Sequence, residues 1–173
     1  CCGRRLGKTT YGIRKASETA LDGLPVGWFS PTYKMLEEIW NEVVEILRPV
    51  TFRKQEAQKR IELVTGGRID FWAMDQDGAN RARGRKYARV ILDECAEVRY
   101  GLMDMWQQAI SPCLLDYTGD AWFLSTPRRG GGFQQLYDMG MEGKSSWRSW
   151  RMPTQPSGLW TAEQLEAERA SMS

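Results

Sequence analysis

Histidine is absent from all 173 residues. That removes Ser-His triads, histidine-ligated metals and histidine general bases, and it leaves carboxylates to handle any proton. Cysteine is scarce. Cys1, Cys2, Cys95 and Cys113 show no C-x-x-C spacing, which fits reduced thiols in a cytosol better than a zinc site or a disulfide framework. No run reaches the apolar length of a membrane span, and no signal-peptide pattern is read. Net charge is only +2, so the bulk electrostatics do not demand nucleic acid.

What is present points to a folded domain. Apolar residues make up 42% of the chain and eight are Trp, too many for a disordered segment. The length is that of one domain able to bury a core. Charge is unevenly spread: Arg81, Arg83, Arg85, Lys86 and Arg89 crowd together, and Arg128 and Arg129 are adjacent.

Two runs carry chemistry. Cys2–Thr9 reads C-G-R-R-L-G-K-T, a P-loop with Cys2 at the position of the usual first glycine. Gly7 permits the tight turn that brings backbone N–H groups to phosphate oxygens. Lys8 supplies a point charge at the β/γ-phosphates, and the Thr9 hydroxyl is placed to ligate Mg²⁺. The second run, Arg89-Val90-Ile91-Leu92-Asp93-Glu94, is an apolar β-branched strand ending in two carboxylates. Such an end delivers one acid to hold metal and one to act on water. Order and spacing together indicate a chain that handles nucleoside triphosphate.

Periodicity and breakers predict the remaining elements. Helices are expected from Thr9 to about Asp22, from Thr32 to about Leu47, from Gly101 to about Leu115 with an interruption at Ser111-Pro112, and from Phe133 to Met139. Strands are expected at Val26–Ser30, Ala88–Leu92 and Ala121–Ser125, with a hairpin of Arg60–Val64 and Arg68–Trp72 around Thr65-Gly66-Gly67. Residues 75–88 read as a polar loop with a basic end, Ser146–Met152 as a last strand, and Thr161-x-x-Gln164 as the start of a terminal helix. Alternating strands and helices imply an α/β domain with a mostly parallel sheet and its ligand at the carboxyl ends of the strands.

In this order the motifs resemble the N-terminal ATPase domain of large terminase subunits, the motors that package viral DNA. The resemblance is carried by G-R-R-L-G-K-T-T at Gly3–Thr10, S-P-T-Y-K at Ser30–Lys34, the hairpin, A-R-G before the carboxylate strand, I-L-D-E at Ile91–Glu94, L-S-T-P at Leu124–Pro127 with the following F-x-x-L-Y, and the closing M-P-T. It implies a three-layer P-loop NTPase fold of the ASCE/RecA-like kind. It also implies ATP and Mg²⁺ as cofactors, with Gly3, Arg4, Arg5, Leu6, Gly7, Lys8, Thr9 and Thr10 around the phosphates. Asp93 and Thr9 would hold the metal, and Glu94 would activate water. Arg4 would reach the γ-phosphate, and Ser125-Thr126 would sense it and couple hydrolysis to movement. Arg83 would act in trans at a neighbour's ATP.

The partners implied are double-stranded DNA contacted at its phosphates, identical subunits in a ring, a portal protein and a small terminase subunit. No membrane is involved, and the implied location is the host cell cytoplasm. Residues 1–173 would be one ATPase domain of a longer protein, without the strand and adenine-contacting segment ahead of the P-loop or the nuclease domain after it. Blander readings stand beside these. Arg4 or Arg5 could pair with a carboxylate, Arg83 could lie on a solvated basic loop, and Ser125-Thr126 could be a strand terminus. D-E-C-A and S-T-P also fit a superfamily-2-like helicase, and a nucleotide-binding module without turnover is a third possibility.

Overall fold

The computed structural model describes Gly3 and residues 6–98, 101–128, 130–143 and 146–152. Helix α1 (Lys8–Leu21) leads to strand β1 (Pro25–Ser30) and helix α2 (Tyr33–Leu47). Strands β2 (Thr51–Gln55), β3 (Arg60–Leu63) and β4 (Arg68–Ala73) follow, then helix α3 (Gln76–Ala82) and strand β5 (Arg89–Asp93). A short helix α4 (Leu102–Met105) continues as a π turn (Trp106–Ile110) and a 3₁₀ stretch (Ser111–Tyr117) before β6 (Asp120–Leu124) and α5 (Gly132–Met141). The expected helical interruption falls at Ser111-Pro112, where Pro112 supplies no N–H to the ladder.

The sheet runs β2-β3-β4-β1-β5-β6, and the pairs β4/β1, β1/β5 and β5/β6 are parallel. Only β2/β3 and β3/β4 are antiparallel, the latter being the expected hairpin. Alternation along each strand feeds two cores. Val26, Trp28 and Ile91 face α1 and α2, where Leu36, Trp40, Val43 and Leu47 recur at helical spacing. Phe29, Val90 and Leu92 face the α4-to-3₁₀ segment and α5. This is the expected three-layer arrangement. Helix α1 lies close enough to the sheet that a Cβ on Gly12 would stand 2.7 Å from Leu124 and 2.9 Å from Trp28, so only glycine fits there.

Three expectations need correction. Residues 75–88 are not simply a loop, because α3 forms within them. Asp75 caps it, its side chain accepting the Gly78 N–H at 2.6 Å. No strand is expected over Thr51–Gln55, because T-F-R-K-Q has no alternation, yet β2 forms there with its one apolar side chain, Phe52, 74% exposed on the sheet's edge.

The third concerns Ser146–Met152, which forms no strand among the described residues. The segment lies against β6 with Trp147 packed on Phe123 and Trp106, and Trp150 stacked on Trp122. Phe123 and Trp122 lie on opposite sheet faces, so the odd spacing of the two tryptophans lets them straddle the edge. The terminal helix expected from Thr161 lies outside the described residues.

The basic run also divides. Arg89 makes two 2.6 Å hydrogen bonds to Asp120 and donates to Thr19 Oγ1, pinning β5 to β6 and α1. Lys86 pairs with Asp116 at 2.9 Å, and Arg85 lies over the Trp72 ring. These three serve the fold.

Candidate functional site

Parallel pairing in register brings the carboxyl ends of β5 and β6 side by side, Asp93 opposite Leu124. The amino end of α1 faces the same place. Gly7 sits just before the helix in the left-handed region (φ 70°, ψ 25°), which an L side chain would strain. The helix therefore starts abruptly, with no side-chain cap among the described residues and Lys8 at its first position.

Lys8 is buried, with 7% of its side chain exposed. Its Nζ donates to the Gly3 carbonyl at 3.2 Å and to Thr126 Oγ1 at 3.1 Å, and it stands 3.6 Å from Glu94 Oε1. Thr9 Oγ1 donates to Asp93 Oδ2 at 2.9 Å, and the Glu94 N–H donates to Asp93 Oδ1 at 3.1 Å. Ser125 Oγ donates to Glu94 Oε2 at 3.3 Å and accepts the Ala96 N–H at 3.1 Å. Cys95, fully buried behind the pair, has its thiol pKa pushed up by burial. Glu94 itself has φ 47°, a left-handed conformation costing a non-glycine residue about 1–2 kcal/mol.

Of the residues singled out in sequence, the fold gathers Gly3, Lys8, Thr9, Asp93, Glu94, Ser125 and Thr126 at one point. Leu6 is half-buried and Gly7 exposed within the loop, while Thr10 is exposed on α1. Arg83 is exposed at the end of α3, and no hydrogen bond or ion pair joins its side chain to any described residue. Arg4 and Arg5 lie outside the described residues. Sequence reasoning missed the Gly3 carbonyl as a partner of Lys8, since a backbone acceptor leaves no residue-type signal. It also missed the separate directions taken by Ser125 and Thr126.

The donor set suits magnesium. Mg²⁺ takes hard oxygen ligands at about 2.1 Å in an octahedron, so neighbouring ligand atoms are about 3 Å apart. Thr9 Oγ1 and Asp93 Oδ2 already stand at 2.9 Å. No cluster of three or more Cys, Asp or Glu suited to a metal exists among the described residues. Such a site would complete its shell from phosphate and water, as Mg²⁺ commonly does.

Burial pushes the Asp93 carboxyl from its ordinary 3.8 up to about 6, with Thr9 pulling it down and Glu94 pushing it further up. In metal-free protein the unfolded chain ionises Asp93 first. The stability that its protonation contributes is therefore present below about pH 4 and is lost as pH rises through about 6, about 3 kcal/mol in all. Asp93→Asn should remove that component. Urea unfolding in chelator is expected to show the variant gaining on the parent between pH 4 and pH 7, and a constant difference would contradict the assignment.

The family described as "Terminase large subunit, T4likevirus-type, N-terminal" matches residues 1–128. The large terminase subunit of Escherichia phage T5 is 30% identical over 149 residues, covering 82% of this chain and 33% of that protein. Among solved structures, the large terminase ATPase domain of Thermus phage P74-26 superposes with a TM-score of 0.68 at 24% identity, covering 99% of this chain and 78% of that one. The large terminase of another thermophilic bacteriophage, in complex with ADP, gives 0.72 at 16% identity, covering 97% and 43%. The chain thus spans about a third of the length of the curated relatives it matches.

Proposed function

The chain belongs to the large terminase subunits, and from that premise we propose that it hydrolyses ATP to drive double-stranded DNA into a viral procapsid. The observation that carries this reading is the convergence of Lys8, the Thr9–Asp93 pair and Glu94 at the start of α1. Membership in the terminases speaks against the helicase alternative.

The residues divide the work. The N–H groups at the start of α1 and the Lys8 ammonium bind phosphate oxygens. Thr9 and Asp93 would hold Mg²⁺, which would supply charge neutralisation to the phosphates when bound. Glu94, 28% exposed and facing the cradle, accepts a proton from water as the water oxygen bonds to the γ-phosphorus and the bond to the bridging oxygen breaks. Negative charge gathering on the transferring group is offset by Lys8, by Arg4 from the loop and by Arg83 from a neighbouring subunit. Arg83 fits a trans role because it is exposed at a helix end and its side chain is joined to no described residue.

A trans arginine requires a neighbouring identical subunit, and we take these subunits to close into a ring. DNA within it is gripped at its phosphates, so binding weakens steeply with salt. A portal protein and a small terminase subunit are the further partners, in the host cell cytoplasm. No described helix is long and apolar enough to cross a membrane.

Two arms test this. Phosphate release from ATP should depend on Mg²⁺, and its absence from assembled subunits would overturn the ATPase reading. Arg83→Ala subunits should lose turnover by a factor of about 10³ or more and regain it when mixed with Glu94→Gln subunits, which still carry the arginine. Failure of that rescue in assemblies verified by sedimentation would place Arg83 elsewhere.

A further inference from the structure

Ser125 and Thr126 are adjacent hydroxyls at the end of β6, yet they serve different partners. Thr126 Oγ1 accepts from Lys8 Nζ, while Ser125, 1% exposed, faces Glu94. The Ser125 hydroxyl takes the Ala96 N–H on its oxygen, and this directs its own proton to Glu94 Oε2. The other Glu94 oxygen stands 3.6 Å from Lys8. Glu94 is therefore held from two sides, on a left-handed backbone that sets where the side chain departs.

We propose that Ser125 is a positioning residue for Glu94, keeping that carboxylate at the mouth of the cradle once Lys8 turns to a nucleotide phosphate. The inference rests on the cradle being a nucleotide site. In the chain as it stands, the Lys8 ammonium is shared among the Gly3 carbonyl, Thr126 Oγ1 and Glu94 Oε1. An entering phosphate takes donors from those three, and Glu94 loses its ionic partner. Among the described residues Ser125 is then the only side chain left holding the carboxylate, with one oxygen fixed and the other free to meet water.

The same contacts make Glu94 a competitor of phosphate. Ser125 keeps the carboxylate within reach of Lys8, so releasing it should ease phosphate entry while harming the water step. A lesion that merely disturbed the fold would weaken both.

The test uses the full chain with Ser125→Ala, Ser125→Thr and Glu94→Gln. It measures ADP affinity without metal and ATP turnover with Mg²⁺. Ser125→Ala is expected to lower kcat about tenfold or more, the scale of a misplaced reacting group. Metal-free ADP affinity should hold or tighten severalfold, and Ser125→Thr should restore kcat. Combined with Glu94→Gln, Ser125→Ala should cost no further turnover.

Unchanged kcat, or ADP affinity falling in step with kcat, overturns the proposal. If the parent binds ADP without turning over ATP, the catalytic reading fails. The binding arm then still decides whether Ser125 holds Glu94 on Lys8: tightening by Ser125→Ala and Glu94→Gln supports it, and weakening rejects it. If the parent binds no ADP, the nucleotide-site reading fails and takes the proposal with it.

Discussion

Glu94→Gln is expected to keep nucleotide binding and to lower ATP hydrolysis about a thousandfold, the middle of the range for a positioned general base. The amide matches the carboxylate in size, and its oxygen can still accept the Ser125 hydroxyl that now donates to Glu94 at 3.3 Å. What it cannot do is take a proton from water. It also removes the partner standing 3.6 Å from Lys8, so a bound phosphate meets a freer ammonium rather than a poorer one. Single-turnover phosphate release alongside ADP titration separates the two quantities. Hydrolysis at the parental rate would remove Glu94 from the mechanism. Loss of binding together with hydrolysis would mean that the variant had damaged the cradle.

Lys8→Ala should act on the other quantity, weakening nucleotide binding by about 10–100-fold, since a charge-assisted hydrogen bond is worth about 1.5–3 kcal/mol. Its burial strengthens the expectation: with 7% of the side chain exposed, little water can replace it. Removing the ammonium also takes a positive charge away from beside Asp93 and Glu94, where the phosphates arrive. Turnover should fall with occupancy, and raising ATP should recover part of it. Calorimetric titration with ADP gives the answer directly. Parental affinity in a folded Lys8→Ala chain would show that phosphate binds somewhere other than the start of α1.

Much of this site was legible because its chemistry is written in short contiguous runs. Gly7-Lys8-Thr9 and Asp93-Glu94 are each recognisable as a run, and a parallel sheet leaves one place for them to meet. The buried strands were equally plain, since β1 is an apolar run between Gly23 and Pro31 and β5 an apolar run that ends in two carboxylates. What could not be read was whatever depends on partners distant in sequence. Strand β2 exists because β3 offers an edge, not because T-F-R-K-Q prefers extension. Helix α3 was signalled by Asp75, but the polar run that follows hid the signal. Arg89 and Lys86 looked like part of a basic patch until Asp120 and Asp116 were placed beside them. The separate partners of Ser125 and Thr126 depend on rotamers at a strand end, which residue identity leaves open.

Cys95 turns the site into something that can be timed. Its sulfur is wholly buried, 3.7 Å from the Leu124 carbonyl across the seam between β5 and β6, and burial keeps it a thiol rather than the reactive thiolate. An alkylating reagent can reach it only while the packing around it is open. When reclosing is fast, the labelling rate divided by that of a free thiol gives the population of the open form, and hence a local free energy. Peptide mass spectrometry can assign the label to Cys95 itself. The residue next to the carboxylate proposed to activate water thus carries its own stopwatch, one that runs without nucleotide, neighbour or turnover.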